Sequence, residues 1–111
     1  MYHLHHIVIG VHQIDIMENF YRHVLDLPLE RHWFYTDGSK RSTWLLLGSN
    51  VLLMLEKTSP DAQKNNASGL QMFALAIPLS NKQALREKLK AHNVSITHET
   101  DYTLYFNDPE G

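Results

Sequence analysis

Apolar runs and polar breaks alternate along the chain, and the spacing within each run predicts its element. Leu4 to Val11 is apolar and β-branched on both faces, which predicts a buried strand. Met17, Phe20, Tyr21 and Val24 then recur at i, i+3, i+4 and i+7, the single stripe of an amphipathic helix. Asp15, with Glu18 three residues later, reads as a capping pair at its start. Pro28 forbids continuation of the helix and holds Leu27 extended. Leu29 to Tyr35, Ser42 to Leu47 and Val51 to Lys57 predict three more strands, divided by turns at Asp37-Gly38 and Gly48-Ser49-Asn50.

The polar stretch 58–68 reads as a linker, and after it the pattern restarts. Leu70 to Ile77 predicts a strand. Ser80 with Gln83 opens a helix carrying Ala84, Leu85 and Leu89, and Val94 to His98 and Tyr102 to Phe106 predict two shorter strands. The order is βαβββ followed by βαββ, an internal repeat in which His6–Val11 corresponds to Met72–Ile77. The closing turn, Asp108-Pro109-Glu110-Gly111, has no role in this scheme, and the chain reads as ending before a last strand of the second module.

Composition narrows the chemistry. A chain of 111 residues fits one domain. It has no cysteine, which excludes disulfides, thiolate catalysis and Cys-based zinc sites. Net charge is −2 with neutral histidines, and the Lys and Arg residues are scattered, so no nucleic-acid footprint is present. No apolar run approaches the roughly 20 residues of a membrane span. The first residues already read as a strand rather than an export signal, so a cytoplasmic location is expected.

Eight histidines are many for this length. In an extended strand His6 points away from His3 and His5, which read as a solvated strand end. His12 shares a face with His6 but lies about 20 Å along the strand. His23, His32, His92 and His98 read as surface residues. His6 sits in an apolar strand and has four open roles: metal ligand, substrate hydrogen-bonder, general base or hydrogen-bonded core residue. Trp33, Tyr35 and Trp44 fall on neighbouring strands, where they suit either a flat apolar ligand or ordinary packing. Lys40-Arg41 reads as the basic tip of a hairpin.

Two signatures carry a resemblance. Leu4-His5-His6-Ile7-Val8-Ile9-Gly10-Val11, then Phe20-Tyr21, then Val24-Leu25-Asp26-Leu27-Pro28-Leu29, resembles the first module of glyoxalase I, bleomycin-resistance and extradiol-dioxygenase proteins, the vicinal oxygen chelate superfamily. Asp26 stands where that family usually has Gly. Tyr105-Phe106-Asn107-Asp108-Pro109-Glu110-Gly111 resembles its second signature. The resemblance implies an α+β fold of two βαβββ modules forming a cupped mixed sheet around a cavity, with module one at 1–57 and module two at 69–111. It also implies a homodimer.

Metal-dependent members hold a divalent ion with ligands from the first and last strands of each module. His6 matches the first position. The second falls on Glu56 or on Met54, the third on Met72, and the fourth beyond Gly111. The resemblance therefore implies either no cofactor or one divalent ion (Zn, Ni, Mn or Fe) on His6 and Glu56. The first function is binding of an apolar or aromatic small molecule, metal-free or with a degraded metal site, in a cavity lined by Trp33, Tyr35, Trp44, Met54 and Met72. The alternative is a metal-dependent lyase, isomerase or dioxygenase acting on a vicinal-dioxygen substrate, with His6 and Glu56 in the catalytic role.

Overall fold

A computed structural model of the chain describes residues 1–61, 70 and 72–111. The linker expected over 58–68 lies mostly outside them, as does Gln71. The chain is α+β and falls into two compact units, 1–59 with 107–111, and 60–106. Among the described residues no helix is long and apolar enough to cross a membrane.

The first unit follows the predicted order. Strand β1 (His6–Val11) leads into helix α1 (Ile14–Asn19), which continues as a π-helical turn over Phe20–Val24. Strands β2 (Leu29–Phe34), β3 (Lys40–Gly48) and β4 (Val51–Lys57) complete a four-stranded sheet in the order β1-β4-β3-β2. Only the β1–β4 pair is parallel.

The helical stripe packs on one face of this sheet. Met17, Phe20, Tyr21 and Val24 are buried, and so are Val11, Leu45, Leu53 and Leu55. Burial of that apolar surface is the main force holding helix to sheet. The helix ends at Asp26, whose φ of 58° lies in the left-handed region, which explains why a glycine suits this position. The hairpin turn is the expected one: Gly38 has φ 88°, and the Ser39 N–H and hydroxyl both donate to Asp37.

Neither expected capping pair forms. The residue before α1 is Gln13 and the residue before the second helix is Asn81, and neither makes a side-chain cap bond. Glu18 instead turns toward the sheet, and the chain entering α1 is met by the closing turn. The backbone N–H groups of His12 and Gln13 donate to the Glu110 carboxylate at 3.0 Å, and the Tyr21 hydroxyl donates to Asp108 at 2.8 Å. The closing turn therefore has a structural job, contrary to the expectation from sequence. It also folds with the first unit rather than with the residues that precede it.

The second unit contains a 3₁₀ turn (Leu79–Asn81), helix α2 (Lys82–Ala91) and a hairpin of β5 (Ile96–Glu99) and β6 (Leu104–Phe106). Leu89 is its buried anchor, and Lys82 and Arg86 both pair with Glu99. The strand expected over Leu70–Ile77 is not formed by its described residues, 70 and 72–77. Residues 72–78 carry no ladder, and Met72, Leu75 and Ile77 are exposed. In the first unit β1 takes its ladder from β4. The second unit has no counterpart of β4 among the described residues.

Candidate functional site

Strand register decides which predicted site residues meet. His6 pairs with Leu52, Val8 with Met54 and Gly10 with Glu56 across β1–β4. Across β4–β3, Glu56 pairs with Ser42, Met54 with Trp44 and Leu52 with Leu46. Across β3–β2, Trp44 pairs with Arg31 and Ser42 with Trp33. Paired residues point to the same side of a sheet. One face therefore carries three rows: Gly10–Glu56–Ser42–Trp33, then Val8–Met54–Trp44–Arg31, then His6–Leu52–Leu46. Helix α1 covers the opposite face.

This arrangement gathers His6, Glu56, Met54, Trp44 and Trp33 on a single surface. Trp33 and Trp44 are in ring contact, with centroids 5.8 Å apart. The Trp44 indole N–H donates to the buried Ser42 hydroxyl at 3.0 Å, which fixes the ring's orientation. Trp33 keeps 44% of its surface exposed. Tyr35 lies past the end of β2, where its backbone closes the hairpin turn with Ser39 and Gly38. Met72 belongs to the second unit and is 63% exposed.

The register also tests the metal donors. His6 and Glu56 share the face, but Glu56 pairs four residues beyond the level of His6. That offset is about 13 Å along the strand, whereas donors to one ion converge at about 2 Å from it. The His6 ring is engaged by His5, with their Nδ1 atoms 2.8 Å apart. The strand begins at His6, so His5 escapes the alternation that was expected to separate the two rings. Among the described residues no three His, Cys, Asp or Glu side chains are placed to hold a metal ion. The donors among the described residues therefore do not fit a resident metal centre.

A second polar cluster was not anticipated. Glu18, buried at 7% exposure, receives hydrogen bonds from Thr43 at 2.6 Å, His32 at 2.9 Å, and Arg22 and Lys40 at 3.0 Å. Lys40 also pairs with Asp15 at 2.7 Å. Burial pushes the Glu18 carboxyl up, but the bonds from Thr43, Lys40, Arg22 and His32 outweigh it and lower it to about 2. Glu18 is therefore an anion at neutral pH on the helix-covered side, where it ties α1 to β2 and β3. His32 and Lys40, expected at the surface and at a solvated hairpin tip, are tied down here. The Glu18–Arg22 spacing of four was the one sequence signal for this network.

Comparison with known proteins places the fold. An integron cassette protein from the mobile metagenome of Halifax Harbour sewage outfall aligns with a TM-score of 0.73 at 19% identity, covering 100% of this chain and 93% of its own. A lactoylglutathione lyase from Agrobacterium tumefaciens aligns with a TM-score of 0.68 at 20% identity, covering 98% and 87%. The fosfomycin resistance protein FosX from Listeria monocytogenes, in complex with Mn(II) and 1S,2S-dihydroxypropylphosphonic acid, aligns with a TM-score of 0.73 at 17% identity, covering 97% and 85%. No curated protein sequence matches the chain significantly. The sequence model of one family covers residues 3–111, nearly the whole chain, and on that match the protein belongs to the Glyoxalase/Bleomycin resistance protein/Dioxygenase superfamily.

Proposed function

We propose that this chain binds an apolar or aromatic small molecule on the open face of its four-stranded sheet, without a resident metal ion. The observation that carries this reading is the Trp33–Trp44 pair, in contact and part-exposed, beside Met54 in the adjacent position of its row. Aromatic faces and a thioether give a flat ligand stacking and dispersion contacts over a surface that water otherwise covers. Glu56 adds a polar group on the same face, in keeping with the few polar groups usual in a small-molecule site. The divergence of His6 and Glu56 supports the metal-free part of the reading. A homodimer, as the family resemblance implies, belongs to the same proposal.

The chain has two tryptophans, both on this face, so their two indole N–H resonances report on the site directly. The test is a titration of chelator-treated protein with 1-naphthol, followed through those resonances. Saturable shifts of both signals, lost in Trp44→Leu, are expected. Unmoved indole signals at saturating ligand would refute the site.

A further inference from the structure

The face carries one cation that the small-molecule reading does not use. The guanidinium carbon of Arg31 lies 5.3 Å from the Trp33 ring centroid and 5.8 Å from that of Trp44. Both distances are within the reach of cation–π attraction. Arg31 reaches this position because it precedes Trp33 by two residues on β2 and pairs with Trp44 on β3. A β-bulge between Leu29 and Arg31 sets that register. Among the described residues, no carboxylate forms an ion pair with Arg31. Glu18 and Asp15 pair instead with Lys40 and its neighbours on the helix-covered side.

The geometry points to an aromatic carboxylate as the ligand class: its ring seats on Trp33 and Trp44 and its anion pairs with Arg31. This deepens the preceding proposal and rests on it. Cation–π attraction holds the guanidinium beside the indoles without using its five N–H donors, whose planar fork matches the two oxygens of a carboxylate. Glu56 sets the ligand's direction. It lies on the same face two strands away, in the row of Ser42 and Trp33, and repels an anion from the β4 side. The carboxylate is thereby directed to the β2 edge and the ring toward Met54. A ligand of this class uses the Arg31 cation and the indole pair together, whereas a neutral ring leaves the cation unused.

Calorimetric titration separates this inference from the one beneath it. 1-Naphthoate and naphthalene-1-carboxamide share a ring and differ in charge, and each is titrated into the wild-type chain and into Arg31→Gln. In the wild type the carboxylate is expected to bind at least about tenfold tighter, the scale of a charge-assisted bidentate pair. In Arg31→Gln that preference is expected to fall to about one, with the carboxamide affinity kept within about twofold. Retained carboxamide binding shows that the variant face is intact. Equal affinities in the wild type, or a preference that survives Arg31→Gln, would overturn the carboxylate assignment and leave the small-molecule site standing. Failure of both probes to bind the wild type would overturn both.

Discussion

The Tyr21 hydroxyl donates to Asp108 at 2.8 Å and joins the helix of the first signature to the turn of the second, 87 residues later. Burial, reinforced by the Asp108 charge, pushes the phenol above its ordinary range, so Tyr21 stays a donor at every physiological pH. Together with Glu110 on the backbone of His12 and Gln13, this bond holds the last residues of the chain against the first unit. Tyr21→Phe keeps the buried ring and removes only the donor. A loss of about 1–2 kcal/mol is expected, read as a lower urea midpoint at unchanged slope. An unchanged midpoint would show that the Tyr21–Asp108 bond adds nothing to the unit.

Glu18 makes acid sensitivity predictable. Its carboxyl is held at about 2 when folded, below the ordinary 4.5. A lowered folded value means stability that is fully present above about pH 4.5 and lost as pH falls toward 2. Its partners Arg22, His32 and Lys40 keep between a fifth and a third of their side-chain surface in solvent, so we expect about 2 kcal/mol rather than the value of a fully buried pair. Glu18→Gln should lose about that much at pH 7, and its stability should change less between pH 5 and 2. Parallel pH–stability curves for the two proteins would contradict this account.

Gly10 is required by close approach rather than by an unusual backbone angle. A Cβ there would sit 2.6 Å from the Thr58 Cγ2, and Thr58 is fixed by its N–H and hydroxyl, both donating to the Val11 carbonyl. Gly10→Ala should cost about 1–3 kcal/mol through overpacking. Thr58→Ser removes the offending methyl and keeps the hydroxyl, so the double variant should recover most of the loss. Additive losses in a double-mutant cycle would place the cost elsewhere.

The sheet of the first unit was legible because each of its strands alternates or runs apolar between clear turn residues, and because Met17, Phe20, Tyr21 and Val24 form one stripe. The same logic failed for Leu70–Ile77, since periodicity reports what a segment can bury and not whether a ladder partner exists. Trp33 and Trp44 were identified from strand position and Met54 from the family resemblance, but their meeting depends on register. Two bulges along β2–β3 set that register, and the sequence carries no direct mark of them. Arg31 was missed for the same reason, since its neighbour Trp44 lies thirteen residues away and pairs with it only through the bulge. The Glu18 network was hidden by a second effect: its residues come from α1, β2 and β3, and only the Glu18–Arg22 pair is local.

The most direct test of the central claim is the dissociation constant of 1-naphthol, measured by calorimetry on chelator-treated protein and on the same protein supplied with Zn, Ni, Mn or Fe(II). The account predicts the same saturable isotherm under every condition, unchanged by His6→Ala and abolished by Trp44→Leu. Binding that appears only with metal and disappears with His6→Ala would contradict it, and would return His6 to the role of ligand in a metal centre.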